Sequence, residues 1–254
     1  MELIILGSGT AIPMNDRASP SLALLIEGQL ALFDMGPGAL RQLTKAGLNH
    51  EEIKHVFLTH FHPDHTADLI HLLFATKNPT ILKRRAPFTI TGPHGTKEFI
   101  DGLKAAYRDW LTLPTEIMGI DELDAGRKDK RNYSGIGIMT SPVSHTPNSI
   151  AYRVEDGQGK IFVYSGDTGF CNEIVALAQG ADLLILEASF PDGEEVEGHL
   201  TPSGAGRIAS LAGVKRLVLT HFYPECLATD IAAQCRGSFG GELTLGSDLL
   251  HLHI

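Results

Sequence analysis

A chain of 254 residues is long enough to bury one large core or two small ones. Its 43% apolar and 20% charged residues match an ordinary globular protein, which excludes wholesale disorder and fibrous repeats. A formal charge of −9, from 21 Lys and Arg against 30 Asp and Glu, excludes a broad polyanion-binding surface and confines any nucleic-acid contact to a local patch.

In chain order, Leu3 to Leu6 predicts a short strand closed by Gly7-Ser8-Gly9. This start lacks the basic residues and apolar length of a signal peptide, and no stretch approaches the roughly 18 apolar residues of a membrane span. A cytoplasmic chain with no membrane partner is expected. Leu22 to Ile26, Glu27-Gly28-Gln29 and Leu30 to Asp34 read as a hairpin. Leu40, Leu43 and Leu48 suit a helix ending near Gly47, and Val56-Phe57-Leu58 is a buried strand that delivers Thr59-His60.

Phe88 to Ile90 predicts a strand and Gly95 to Tyr107 a helix, whereas residues 108 to 135 are poorly periodic. Strands follow at Ile136 to Thr140, Ile150 to Val154 and Ile161 to Tyr164, then a helix near Glu173 to Ala178 and a strand Leu183 to Leu186. A helix near Ser203 to Leu211, a strand Leu217 to Leu219 and an alternating tail Leu249 to Ile254 complete the chain. No linker divides it, so a single α/β layered domain over 1–254 is expected. Leu58-Thr59-His60-Phe61-His62-Pro63 recurs as Leu219-Thr220-His221-Phe222-Tyr223-Pro224, which suggests two related halves facing a shared site.

The count that stands out is 12 His against three Cys. Cys171, Cys226 and Cys235 have no CxxC spacing and form no disulfide framework, so the excess points to a His/carboxylate metal site. His60, His62, Asp64 and His65 crowd into one loop just past a buried strand. Residues two apart on extended backbone face the same side, so His60 and His62 can share one ion, while Asp64 and His65 can reach a second. Further ligands stand at strand ends, in Ser144-His145-Thr146, Ser165-Gly166-Asp167-Thr168 and Thr220-His221. His50, His55, His71, His94, His251 and His253 read as ordinary surface or packing residues.

The string His-x-His-x-Asp-His, followed by a His, a Gly-Asp-Thr and a final Thr-His, resembles the metallo-β-lactamase superfamily of binuclear metallohydrolases. Within it the chain is most similar to ribonuclease Z-like phosphodiesterases, through Leu6-Gly7-Ser8-Gly9-Thr10-Ala11, Leu32-Phe33-Asp34-Met35-Gly36 and Thr91-Gly92-Pro93-His94-Gly95. Leu186-Glu187-Ala188-Ser189-Phe190 and Gly198-His199-Leu200-Thr201 extend the match. The resemblance implies a four-layer αββα sandwich and two divalent ions, zinc first and manganese or iron next. It implies His60, His62 and His145 on one ion, Asp64, His65 and His221 on the other, and Asp167 bridging. It also implies Asp64 as the group that orients hydroxide, and His199 as proton donor with Glu187 as its orienting partner.

Long-armed relatives that process the 3′ end of transfer RNA carry a basic arm between the metal His and Gly-Asp-Thr. Here His145 and Asp167 enclose a single hairpin, with no room for that arm. The basic clusters Lys83-Arg84-Arg85 and Arg127 to Arg131 read as solvated loop charge. A small or cyclic phosphodiester is therefore expected ahead of transfer RNA. The other readings are a ribonuclease Z-type endonuclease, an ester, thioester or lactone hydrolase, and a non-catalytic metal-stabilised binding protein, with a homodimer open. A redox di-iron role is disfavoured because His62 stands where such proteins carry Glu.

Overall fold

The structure, a computed structural model, describes residues 1–133 and 135–254. The apolar runs of the first half form β1 (Glu2–Gly7), β2 (Ser21–Ile26), β3 (Gln29–Phe33), β4 (Ile53–Phe57), β5 (Phe88–Pro93) and β6 (Met118–Leu123). The second half forms the charged β7 (Asp129–Tyr133), then β8 (Ile136–Pro142), β9 (Ile150–Glu155), β10 (Ile161–Tyr164), β11 (Leu183–Glu187), β12 (Arg216–Thr220) and β13 (Glu242–Leu245). A last strand, β14 (Leu250–His253), returns to pair antiparallel with β1. Two seven-stranded sheets result, ordered β14-β1-β2-β3-β4-β5-β6 and β13-β12-β11-β10-β9-β8-β7.

The period-2 alternation of the strands sorts their side chains into layers. Leu3, Ile5, Leu22, Leu24, Phe33 and Phe57 point between the sheets, where they meet Tyr152, Phe162, Ile185 and Val218. Phe33 anchors this middle layer, stacked on Phe57 at 5.0 Å and edge-on to Tyr152 and Phe162. The intervening residues Ile4, Leu6, Leu32 and Val56 point outward onto α1 (Ala39–Lys45), α3 (Asp68–Thr76) and α5 (Thr96–Tyr107), with the one-turn α2 (Pro63–Thr66) and α4 (Pro79–Arg84) completing that flank. On the other outer face Leu184, Leu186, Leu217 and Leu219 pack on α6 (Asn172–Leu177), α7 (Pro202–Ala212) and α9 (Ile231–Arg236), beside the one-turn α8 (Pro224–Leu227). Strands apolar on both faces need cover on both sides, and the αββα sandwich expected from the sequence provides it.

The repeated string is also repeated in space. After both β4 and β12 the chain runs through Thr-His into a one-turn helix with Pro at its first position, α2 and α8. Two expectations are corrected. The run Arg127 to Arg131 is not all loop charge: Asp129 to Arg131 lie in β7, which with β6 forms the outer strands of the two sheets, where half-exposed edges carry charge in place of alternation. Lys83-Arg84-Arg85 is not loop charge: Lys83 and Arg84 end α4, Arg84 pairs with Glu51, and Arg85 is buried over the Phe88 ring. Among the described residues no helix is long and apolar enough to cross a membrane.

Candidate metal centre

Strands β3, β4 and β5 run parallel, as do β10, β11 and β12, and their C-terminal ends carry the site. Asp34 follows β3, His60 follows β4, His145 follows β8, Asp167 follows β10, Glu187 ends β11 and His221 follows β12. The mouth beyond the carboxyl ends of parallel strands is where α/β sheets gather ligands. All seven residues expected as ligands converge there, and their donor atoms fall into two sets.

In the first set His62 Nδ1 and His145 Nε2 approach to 3.1 Å, with Asp167 Oδ2 at 3.7 Å from His145 and 3.9 Å from His60 Nε2. In the second, Asp167 Oδ1 lies 3.2 Å from His65 Nε2 and 3.3 Å from His221 Nε2. The same two nitrogens are 3.4 Å apart, and Asp64 Oδ2 is 3.5 Å from His221 and 3.9 Å from His65. Ligands about 2.1 Å from one tetrahedral ion stand about 3.4 Å from each other, so both sets have the spacing of a divalent cage. Asp167 divides its two oxygens between them. His60 Nε2 and Asp167 Oδ1 are buried with no hydrogen-bond partner among the described residues, an arrangement costly unless a cation answers it.

Each imidazole is aimed from behind. Thr59 Oγ1 lies 3.0 Å from His60 Nδ1 and itself donates to Asp34. Gly198 carbonyl oxygen accepts from His145 Nδ1 at 2.9 Å, and Ser189 Oγ meets His221 Nδ1 at the same distance. Asp34 Oδ2 accepts from His65 Nδ1 at 2.8 Å, which turns Nε2 towards Asp167. Asp34 is fully buried and also accepts from Thr59 N–H at 2.8 Å and the Tyr164 hydroxyl at 2.9 Å. Asp34 and Ser189 were present in the matched motifs, yet nothing in their spacing marked them as organisers of the site.

Glu187 is more than a partner of His199. Its Oε1 accepts from His199 Nδ1 at 3.0 Å and from Thr168 N–H at 2.8 Å, and its Oε2 accepts from the Ser189 hydroxyl. One carboxylate thus holds His199, the loop carrying Asp167, and, through Ser189, His221.

The backbone is strained where this convergence demands it. Asp34 and His221 take positive φ, 56° and 58°, which few side chains adopt. Gly166 is required twice: its φ is +60°, and a Cβ there would stand 2.5 Å from Thr59 Oγ1.

Electrostatics follow the same division. Burial, with the neighbouring His65, pushes the His60 pKa well below the usual imidazole range, and burial lowers that of His145. Both therefore favour the neutral form that ligation needs. Burial opposes protonation of His65, but Asp167 and Asp34 outweigh it and raise its pKa. Burial likewise opposes ionisation of Asp167 and is outweighed by His221 and His65, which hold its pKa well below the carboxylate range. For His199 burial is outweighed by the Glu187 hydrogen bond, and its pKa is raised.

Comparison with known proteins agrees with this geometry. Residues 31–222 match the family model described as the beta-lactamase superfamily domain. The chain is 30% identical to ribonuclease Z of Streptomyces avermitilis and 31% identical to that of Mycobacterium marinum, covering all of this chain and 97% and 99% of those relatives. These alignments run over 305 and 279 positions against 254 residues here, so both relatives carry insertions that this chain lacks. Human tRNase Z, short form, superposes over the whole chain and 99% of its own at a TM-score of 0.82 with 28% identity. The metallo-beta-lactamase fold protein YhfI of Bacillus subtilis shares the fold at a TM-score of 0.85 with 22% identity, over 99% and 98% of the two chains.

Proposed function

The chain belongs to the β-lactamase superfamily, in its ribonuclease Z-like branch, and from this membership as a metal-dependent hydrolase we propose that it cleaves small phosphodiesters at a two-ion centre. The observation that carries the reading is Asp167, whose two oxygens are shared between two donor sets of ligand spacing while His199 stands beside them on Glu187. Two divalent ions, zinc first and manganese or iron next, would supply an acidified water and polarise a phosphoryl oxygen.

The protein's own residues do the rest. His60, His62 and His145 would hold one ion, and Asp64, His65 and His221 the other. Asp64, within 3.5 Å of His221, orients the attacking water and takes up its proton. Glu187 accepts the Nδ1 proton of His199, leaving Nε2 as the nitrogen that protonates the departing oxygen. A small substrate fits the surroundings. Only the hairpin β9–β10 separates His145 from Asp167, and the loop before His199 exposes Asp192, Glu194, Glu195 and Glu197, which would repel a polyanion at that side.

A ribonuclease Z-type activity on transfer RNA is the second reading, favoured by the names of the relatives at 30 and 31% identity. Acyl hydrolysis is the third. One panel separates them: bis(p-nitrophenyl) phosphate, a cyclic nucleotide, a precursor transfer RNA and p-nitrophenyl acetate, with the metal-loaded protein and its Asp64→Ala and His199→Ala variants. Cleavage of the first two, lost in both variants, is expected. Cleavage of the acetate alone refutes phosphodiester hydrolysis, and efficient transfer-RNA processing selects the second reading.

A further inference from the structure

The basic run 127–131 plays no part in the centre just described, yet it lines a cavity of about 790 Å³ together with His94, Pro147 and Asn148. The segment passes from β6, at the edge of one sheet, to β7, at the edge of the other. It therefore spans both layers next to the loop that follows His145. The cavity lies beside the loops that carry the metal centre, since Asn148 stands three residues after His145. Asn148 donates to the His94 carbonyl at 3.0 Å, and both Asn148 and Phe61, the residue between His60 and His62, lie against Gly95.

Charge in this groove is numerically mixed, but most of its carboxylate oxygens already accept hydrogen bonds. Glu122 Oε1 accepts from the N–H groups of Gly95 and Lys97 at the start of α5. Asp124 accepts from Gly126 N–H and Arg127 Nε, and Asp129 accepts from Lys130 N–H and Arg131 Nη1. Lys128 and Lys130 are exposed, and among the described residues no carboxylate lies within ion-pair distance of either. What the groove still offers is therefore almost wholly donors and positive charge. The two ammonium groups of Lys128 and Lys130 suit an anionic ligand.

We propose that this groove binds a further phosphate of the substrate, so that the preferred substrate is a short nucleotide chain whose scissile phosphodiester lies at the metal centre and whose next phosphate lies against Lys128 and Lys130. The proposal rests on the phosphodiesterase reading and deepens it. It also reconciles a chain of charge −9 with a polyanionic substrate class, because the contact is local.

The test compares the wild type with Lys128→Gln/Lys130→Gln, a change at two exposed residues that leaves thermal unfolding unaltered. Fluorescence anisotropy with a 5′-labelled pentaribonucleotide on the Asp64→Ala background is read at about 50 and 200 mM salt. Each single-strand phosphate contact contributes a log–log salt slope of about 0.7, so losing the one groove phosphate lowers the slope by about 0.7. The wild type is then expected to lose about 2.6-fold more affinity than the double variant across that range. With Asp64 intact, KM for the pentanucleotide rises roughly tenfold while turnover of bis(p-nitrophenyl) phosphate, which has one phosphate, is unchanged. An unchanged affinity and salt slope overturns the groove assignment. Failure to cleave any phosphodiester would instead refute the activity, and the anisotropy result would still decide the groove. Tight binding of folded transfer RNA, reduced by the double variant while the pentanucleotide does not bind, overturns the short-chain substrate class.

Discussion

Replacing Asp34 by Asn removes one charge and almost no volume, yet the hydrogen-bond directions make it severe. Asp34 receives four donors: Thr59 N–H, the Thr59 hydroxyl, the Tyr164 hydroxyl and His65 Nδ1–H. An Asn that keeps its oxygen on Thr59 N–H turns its amide N–H₂ towards Tyr164 and His65. His65 must then accept at Nδ1 and carry its proton on Nε2, the atom 3.2 Å from Asp167. A protonated Nε2 cannot ligate. The opposite Asn orientation restores His65 but leaves the buried Thr59 N–H unpaired, at about 1–3 kcal/mol. Metal affinity at the Asp64/His65/His221 set is expected to fall about 10- to 100-fold, or roughly 1.4–2.8 kcal/mol. Titration with zinc against a chromophoric chelator reads this directly, since one tight site should remain and one should weaken. Two sites of wild-type affinity, with an unchanged melting temperature, would show that Asp34 does not set the His65 tautomer.

Gly166→Ala should lower the melting temperature by several degrees, about 1–3 kcal/mol, because its Cβ meets Thr59 at a positive φ; differential scanning calorimetry that finds no loss refutes this. His199→Ala should cut kcat for an aryl phosphodiester about 10²- to 10⁴-fold while metal content measured by plasma emission stays at the wild-type level; loss of metal would reassign His199 as a ligand. Thiol titration at pH 8 should find half-buried Cys171 reactive and Cys226 and Cys235 silent until denaturant is added. Burial raises those two thiols to about 12 and about 11, so neither forms thiolate at that pH; rapid reaction of more than one native thiol refutes the assignment.

The crowded string His60 to His65 is legible as a candidate metal site because its donors are adjacent in the chain. The strands that deliver His60, Asp167 and His221 are legible for a related reason: each is an apolar β-prone run, a property of a few consecutive residues. The four-layer sandwich follows once alternating strands need cover on both faces. Asp34, Ser189 and the Gly198 carbonyl were not legible as organisers, since each acts on a His far away in the chain and only sheet order brings them together. The edge strands β6 and β7 were hidden by their charge. Run 127–131 is likewise only solvated charge when read along the chain. It lines a groove beside the metal centre because tertiary structure lays it across the edges of both sheets, next to the loop that follows His145. Residue chemistry and short-range periodicity were thus written in the sequence; which distant groups face one another, and so which donors remain free for a ligand, was decided by the packing of the two sheets.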